Sequence, residues 1–383
     1  MSKLGRDILI IGGGVMGSSI AYHLTGDPAL AGKVTVVERD PSYARASSAL
    51  SASSIRQQFS TPLNIYLSRY GIGFLRQAQD LLGVDLALKE EGYLFLASAT
   101  GEAVLRANNA VQHAEGCSVE LLEPAGLVRR FPWIVTDGLA LASFGTANEG
   151  WFDGPSLMQA FRRAARDRGA VYLADEVVGL GPRHVDLRAN GRVEAGTMVI
   201  AAGAWSGEVA AMAGIPLPVE PRRRSVFVFD VREPPGPTPL TIDPSGVWFR
   251  PEGRFHIGGT TPVEGNDPPG APLEVQHQEW DEMVWPVLAA RVPAFEAAKV
   301  VNSWAGYYEY NTFDQNGIVG RHPKIESVFF ATGFSGHGIQ QSPAVGRAVA
   351  ELILHGSYRT LDLLPFGYER ISAGQPIREL NVV

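Results

Sequence analysis

The chain is poor in cysteine, with only Cys117 among its 383 residues. A single thiol excludes a disulfide within the chain and any paired-cysteine metal or redox motif. Long apolar runs are also missing, because none approaches the roughly 18 residues that a membrane-spanning helix requires. No charged segment followed by an apolar stretch precedes the first predicted strand. The sequence therefore predicts no transmembrane segment and a cytoplasmic location.

Positive charge is not in excess either. The chain has 33 lysines and arginines against 40 aspartates and glutamates, a net charge of -7, which argues against a general nucleic-acid-binding protein. Its eight histidines form no H-x-x-x-H pair or comparable cluster, so we expect no metal site. A composition of 45% hydrophobic and 19% charged residues is typical of a folded globular chain, and the length allows two domains.

The sequence does contain a glycine-rich turn between an apolar strand and a helix. Residues 8–11 are apolar, residues 12–17 have the pattern G-x-G-x-x-G, and a second apolar run ends at Glu38. The glycines permit a tight turn, a close approach to a pyrophosphate and packing of the helix on the strand. The helix N-terminus attracts the phosphates, and Glu38 can accept hydrogen bonds from a ribose. The sequence thus predicts an ADP-containing cofactor, bound by Gly12, Gly14, Val15, Met16 and Gly17; a plain glycine-rich turn is the alternative.

The rest of the chain alternates between segments with a mixed helix and strand pattern and a segment in which strand patterns dominate. Asp153-Gly154-Pro155-Ser156 begins a helix that Gly169 ends, and residues 198–203 form another buried strand. Between residues 221 and 310 strands dominate, including a hairpin around Pro251-Glu252-Gly253. We predict an α/β fold, α+β overall: a Rossmann-like nucleotide-binding domain with an inserted, strand-rich second domain. The predicted ranges are 1–88, 151–220 and 311–383 for the first domain, and 89–150 and 221–310 for the second.

A second glycine-rich turn follows the apolar residues 328–333. The pattern predicts that the next helix has Ser342 as its N-cap, Pro343 at its first position and Gly356 just past its end. A flavin benefits from a helix N-terminus here, since its N1–C2=O edge gains negative charge on reduction. A nicotinamide dehydrogenase fits the first 38 residues equally well but leaves this second turn without a purpose.

At this point the chain resembles the D-amino-acid oxidase/sarcosine oxidase superfamily of FAD-dependent amine oxidoreductases. Residues 12–17, 150–153, 201–206 and 331–338 carry the resemblance. Three further segments resemble one branch, typified by a mitochondrial FAD-dependent oxidoreductase-domain protein linked to assembly of respiratory complex I. They are residues 56–60, 304–317 and 338–341.

The resemblance implies a Rossmann-like FAD-binding domain with an inserted substrate domain built on a large antiparallel sheet. It also implies oxidation of a C–N bond in a small amino acid or N-methyl amino acid, of the sarcosine, glycine or D-amino acid type. A hydride would pass to flavin N5, the imine would hydrolyse, and oxygen or another acceptor would reoxidise the flavin. The implied partners are thus a small-molecule amine and that acceptor, with no nucleic acid. The resemblance adds further FAD-binding positions: Arg39, Ser47, Ser48, Val177, Ala202, Gly203, Trp205, Gly336, His337, Gly338, Ile339 and Gln340.

On the substrate side, Arg56 resembles a carboxylate-binding position, and its planar guanidinium suits bidentate capture; a salt bridge is the alternative. Gln340 stands where relatives place a second, cationic carboxylate contact. Tyr308 and Glu309 lie in a segment that contacts substrate in relatives, although aromatic packing explains such a run equally well. His256 replaces a lysine that promotes oxygen reaction; it is either a catalytic base or a hydrogen-bonded strand histidine. One arginine of Arg222-Arg223-Arg224 is expected to face inward.

The resemblance also implies that FAD is bound noncovalently. Tyr307 occupies about the position of the flavin-linked cysteine of sarcosine oxidases, and serines and alanines stand where other relatives carry a flavin-linked histidine. The competing hypothesis is a flavoprotein with a mainly partner-binding or assembly role, in which FAD is structural.

Overall fold

The computed structural model describes residues 6–262 and 266–380, and two eight-stranded sheets organise them. The strands are β1 (Arg6–Ile11), β2 (Val34–Glu38), β3 (Ser54–Ile55), β4 (Tyr93–Ala97), β5 (Val119–Leu122), β6 (Leu141–Gly145), β7 (Gly150–Trp151), β8 (Val171–Ala174), β9 (Val177–Gly181), β10 (His184–Leu187), β11 (Gly191–Ile200), β12 (Val219–Asp230), β13 (Leu240–Ile242), β14 (Trp248–Glu252), β15 (Phe255–Gly259), β16 (Lys299–Asn311), β17 (Ile318–Arg321) and β18 (Val328–Thr332). The helices are α1 (Val15–Leu24), α2 (Pro62–Arg76), α3 (Ala78–Leu82), α4 (Glu102–Ala114), α5 (Pro124–Arg130), α6 (Gly154–Asp167), α7 (Ser206–Ala211), α8 (His277–Glu279), α9 (Trp285–Arg291), α10 (Gly338–His355) and α11 (Glu369–Ser372).

The first sheet has the order β17-β18-β11-β1-β2-β8, and β9 and β10 extend β11 as an antiparallel meander. Neighbours from β18 to β8 run parallel, and β17 is antiparallel. Ile8 and Ile10 of β1 enter the core beneath α1, α6 and α10, whereas Leu9 and Ile11 enter a second core on the opposite face. Covering both faces explains why residues 8–11 of β1 are all apolar.

The second sheet has the order β16-β12-β15-β14-β13-β4-β6-β5. Its pairs are antiparallel except for the parallel pair β13 and β4. Strands β12 and β16 pair along their whole length, from Val219 opposite Asn311 to Asp230 opposite Lys299. The predicted fold class, mixed α/β with a large antiparallel sheet, is confirmed. No helix in the described part of the chain is long and apolar enough to cross a membrane.

Helix α10 corrects one expectation from the sequence. It begins at Gly338, with His337 as N-cap, so Pro343 lies inside the helix and Ser342 is not its cap. Proline at this position leaves the carbonyl of Ile339 without its usual backbone donor. The Ser342 hydroxyl donates to that carbonyl instead, at 3.0 Å. The predicted end is confirmed, because Gly356 follows the helix with a φ of +70°.

Candidate cofactor and substrate site

A cavity of about 630 Å³ lies between the carboxyl ends of the parallel strands and the second sheet. Both glycine-rich turns line it, together with residues from β12, β14 and β16. Ligands of open α/β sheets bind at this edge of the sheet. Of the positions predicted from the sequence, the cavity brings together Gly12, Gly14, Val15, Met16, Glu38, Arg39, Ser47, Ser48, Val177, Ala202, Gly203, Trp205, Tyr308, Gly336, Gly338 and Ile339.

The first turn can be made only of glycine at two positions. Gly12 has a φ of +103°, and a Cβ there would stand 2.3 Å from the carbonyl oxygen of Ala201. A Cβ on Gly17 would stand 1.9 Å from the carbonyl oxygen of Gly12. Gly17 does not line the cavity; it lets α1 pack closely against the turn. The missing side chains leave a smooth backbone cradle at the start of α1, which is the surface a pyrophosphate requires.

Two side chains beside this cradle already accept hydrogen bonds from backbone N–H groups. Glu38 accepts hydrogen bonds from the backbone N–H of Gly13 at 2.8 Å and of Asp40 at 2.9 Å. A carboxylate has about four acceptor sites, so it retains capacity for ribose hydroxyls. The Val15 N–H donates to the Ser48 hydroxyl at 3.0 Å, which ties the serine loop to the first turn of α1.

The second turn places the start of α10 at the same cavity. Gly336 has a φ of +96°, and a Cβ there would stand 2.6 Å from the Tyr308 ring. Gly338 packs beside Glu309, whose Oε1 would lie 3.0 Å from an added Cβ. The N-terminal ends of α1 and α10 therefore both face one cavity, with positive ends of their dipoles toward it.

Arg56, His337 and Gln340 do not line the cavity but form a buried cluster. The Arg56 guanidinium lies 2.9 Å from His337 Nε2. The backbone N–H of Arg56 donates to Gln340 Oε1 at 3.0 Å. Burial and the neighbouring Arg56 lower the pKa of His337 to about 3. A neutral imidazole can accept the guanidinium N–H. This cluster fixes the segment after β3 to the start of α10.

His256 is also away from the cavity. Its strand neighbour on β12 is Phe229, and its ring stacks on that phenylalanine at 5.5 Å and lies 5.0 Å from Phe295. Burial lowers the pKa of His256 to about 4. Side chains alternate across a strand, and Arg224 and Val226 of β12 take the cavity side while Phe227 and Phe229 take the other. The predicted catalytic base is thus placed in an aromatic core.

Glu309 is a half-buried acid of the cavity wall. It accepts hydrogen bonds from the Thr332 hydroxyl at 3.0 Å and the Gly333 N–H at 3.1 Å. Burial raises the pKa of Glu309 to about 7. The sequence placed it in the substrate segment, but only the fold shows that its carboxyl is enclosed and close to its titration point at neutral pH.

Arg224 is the arginine of its triplet that lines the cavity. Its guanidinium lies 4.9 Å from the centre of the Tyr308 ring and pairs with Asp267 at 3.0 Å. Arg223, on the opposite face of β12, donates to the carbonyl of Pro272 at 2.9 Å. The sequence shows three adjacent arginines, and only the pairing of β12 in the sheet reveals which one faces the cavity.

Among the residues that the structure describes, those lining the cavity include no histidine and no cysteine. Cys117 is buried in a separate cluster with Phe59, Ile65 and Val119. Within residues 6–262 and 266–380, no three histidine, cysteine, aspartate or glutamate side chains are arranged to hold a metal ion.

Comparison with known proteins gives consistent relatives. The DAO family model, described as FAD dependent oxidoreductase, matches residues 7–352. The chain is 46% identical over 422 residues to FAD-dependent oxidoreductase domain-containing protein 1 of Xenopus laevis, covering 98% of this chain and 85% of that protein. The crystal structure of L-proline dehydrogenase from P. horikoshii matches with a TM-score of 0.86 at 27% identity, covering 98% of this chain and all of that one. Glycine oxidase from Geobacillus kaustophilus matches with a TM-score of 0.80 at 25% identity, covering 94% and 97% of the two chains.

Proposed function

Because this chain belongs to the DAO family of FAD-dependent oxidoreductases, we propose that it oxidises the C–N bond of a small amino acid or N-methyl amino acid. The observation that supports this proposal is a single cavity that connects both glycine turns to the inner face of the second sheet. A site of this kind holds a cofactor at one end and a small substrate against it. The names of two relatives, glycine oxidase and L-proline dehydrogenase, support an amine that also carries a carboxylate.

The residues present fit FAD, the cofactor of this family. The backbone of Gly12 and Gly14 lines the cavity as a cradle for the pyrophosphate, and Glu38 has acceptor capacity for the ribose. The start of α10 supplies a second positive end for the redox ring. When bound, FAD supplies the acceptor for a hydride leaving the substrate carbon. We propose noncovalent binding, since the described cavity wall has neither a cysteine nor a histidine to form a link.

The chain's own contribution is to position the amine and to manage its proton. Oxidation removes a hydride from carbon and a proton from nitrogen, and water then hydrolyses the imine. Tyr308 and Trp248 line the cavity, and their rings are suited to exclude water from the reacting atoms. Glu309, with a pKa near 7, is suited to hold a proton at its carboxyl within the cavity. His256 is not part of this proposal.

Anaerobic reduction of the bound flavin tests the proposal. Glycine, sarcosine, L-proline and D-alanine are mixed separately with the FAD-loaded protein, and the loss of visible absorption is followed. We expect at least one to bleach the flavin, whereas ethylamine, which lacks the carboxylate, should not. Fully loaded protein that no amine reduces would overturn the proposal and favour the partner-binding alternative. Reoxidation of the reduced protein by oxygen or by an added quinone then separates an oxidase from a dehydrogenase.

A further inference from the structure

The carboxyl of Glu309 lies in the cavity wall next to the start of α10. The side chain lines the cavity and is half-buried. Its Oε1 would stand only 3.0 Å from a Cβ added to Gly338, the first residue of α10. Its Oε2 lies 3.0 Å from the Thr332 hydroxyl and 3.1 Å from the Gly333 N–H. The carboxyl therefore shares the positive end of this helix with the group that occupies the cavity there.

The hydrogen-bond partners of Glu309 are suited to both of its charge states. The buried Thr332 hydroxyl lies 3.0 Å from the Glu309 carboxyl and 2.7 Å from the Ser206 hydroxyl. A hydroxyl donates one hydrogen bond and accepts two, so Thr332 can donate to an ionised carboxylate or accept from a protonated one. In the second state its own proton turns to Ser206. Glu309 can therefore gain or lose a proton while Thr332 keeps a partner.

No charged side chain in the described part of the chain fixes the charge of Glu309. Burial raises its pKa to about 7, against the opposing effect of hydrogen bonds from Thr332, Gly333 and Phe334. The charged and titratable groups on the elements packed beside it have other partners: Arg222 pairs with Glu220, Arg223 with the carbonyl of Pro272, Arg224 with Asp267, His337 with Arg56 and Arg347 with Glu351. The charge of Glu309 can consequently respond to a negative charge placed beside it.

We propose that Glu309 takes up a proton when the cofactor in this cavity is reduced, and so makes the reduction potential depend on pH. The inference goes beyond the proposed function and rests on it only for the presence of FAD. Two electrons and one proton leave a negative charge on the reduced ring, which the positive end of α10 stabilises. An ionised Glu309 would repel that charge in a poorly hydrated site. The carboxylate therefore binds a second proton, which the solvent supplies.

The midpoint potential of the FAD-loaded protein tests this coupling. The protein is reduced with dithionite from pH 6 to pH 9, in equilibrium with a redox dye of known potential. At the acid end Glu309 is neutral in both redox states, so wild type and Glu309→Gln should give parallel curves. Above pH 7 we expect the wild-type potential to fall more steeply, by about 30 mV per pH unit, because one extra proton per two electrons is a tenfold change per pH unit.

Glu149→Gln is the matched control. Burial also raises the pKa of Glu149 to about 7, but this carboxyl does not line the cavity, so its removal should leave the wild-type slope. Infrared difference spectra at pH 8 give an independent readout of the same event. The reduced-minus-oxidised spectrum of the wild type should gain the C=O band of a protonated carboxylic acid, and Glu309→Gln should lack that band.

Thr332→Val provides a second variant in case Glu309→Gln fails to load FAD. It removes a hydrogen bond that lowers the pKa of Glu309, so the steep part of the curve should begin at a higher pH. Equal slopes in wild type and Glu309→Gln, the same loss of slope in Glu149→Gln, or an unshifted Thr332→Val curve would overturn the inference.

Dithionite reduces FAD without an amine, so the two proposals fail separately. Proton uptake at Glu309 in a protein that no amine reduces would refute the proposed function alone. Amine oxidation without proton uptake at Glu309 would refute this inference alone.

Discussion

At the scale of single residues, burial moves acids and bases in opposite directions. It raises the pKa of Glu309 to about 7 and lowers that of His256 to about 4. In both cases the folded chain favours the uncharged group, because a buried charge loses its hydration. These shifts are coupled to stability, since the unfolded chain titrates each group near its ordinary pKa. The two residues should therefore give stability profiles of opposite sign.

His256→Phe should stabilise the protein selectively in acid. Below pH 6.5 the unfolded chain binds a proton on His256 that the folded chain binds only near pH 4, so the wild type loses stability across that interval. The variant lacks this loss, which is at most about 3 kcal/mol. Its Tm advantage should grow from pH 7 to pH 4, measured by thermal unfolding. An unchanged rate of flavin reduction at pH 7 would agree with a position in the aromatic core, and a large loss would return His256 to the catalytic machinery.

Glu309→Gln should show the reverse dependence. Above pH 4.5 the unfolded chain releases the proton of Glu309, whereas the folded chain keeps it until about pH 7, so wild-type stability declines over that range. Glutamine can still accept from Thr332 and Gly333 but does not titrate. The Tm difference between variant and wild type should therefore increase from pH 5 to pH 8. A difference that is flat with pH would contradict a buried, neutral Glu309.

At the scale of elements, the crossing of α1 and α10 depends on a missing side chain. A Cβ on Gly346 would stand 2.1 Å from the Ser19 hydroxyl and 2.8 Å from the backbone of Ser19. The Ser19 hydroxyl in turn donates to the carbonyl of Ser342 at 2.8 Å. Since both helices begin at the cavity, their separation sets the distance between its two glycine turns.

Gly346→Ala should force these helices apart. We expect a loss of about 1–3 kcal/mol in the free energy of unfolding, as for overpacked cores, together with weaker FAD binding. Gly73→Ala is the control, because Gly73 lies within α2 and an added Cβ there meets nothing within 4 Å. That variant should gain up to about 1 kcal/mol from helix propensity. Denaturant unfolding and FAD titration check both, and equal behaviour of the two glycines would contradict the close crossing.

Local sequence patterns predicted the start or end of a helix correctly where a few neighbouring residues determine it. The helix that Asp153 caps starts at Gly154, and the Asp153 carboxylate accepts from the Ser156 N–H at 2.9 Å. The predicted start of α10 was wrong. We took Pro343 as a sign of the first turn, but a proline can lie inside a helix when a side chain replaces the hydrogen bond that its backbone cannot donate, as the Ser342 hydroxyl does here. The sequence could not predict on which face of the second sheet the side chains of His256 and Arg224 lie. That depends on the pairing of β12 with strands distant in sequence.

At the scale of the whole molecule, the cofactor joins segments that are distant in sequence. Its cavity takes residues from Ile11 to Ile339 and from both sheets. The family resemblance was predictable because the glycine turns and their flanking residues are contiguous motifs. The enclosed carboxyl of Glu309 was not, because its environment comes from Thr332 and Gly333 on another strand and turn.

Loss of FAD should destabilise the protein reversibly. A ligand that binds only the folded chain stabilises it by about 2.7 kcal/mol when its free concentration is a hundredfold above Kd. We expect the apoprotein to melt at a lower temperature and added FAD to restore the Tm in a concentration-dependent manner. Denaturation should release the flavin into the supernatant. Yellow colour that stays with the precipitated chain would contradict noncovalent binding.

The neighbouring positions of α1 and α10 have a consequence for biosynthesis. A chain leaving the ribosome presents the first glycine turn early, yet the helix that packs beside it ends only at His355. The hydrogen bond between Ser19 and Ser342 spans 323 positions, so the pocket cannot close on a nascent chain that stops short of α10. FAD should therefore bind only after this helix has been translated. Prematurely terminated chains should lack bound flavin and be degraded by proteases.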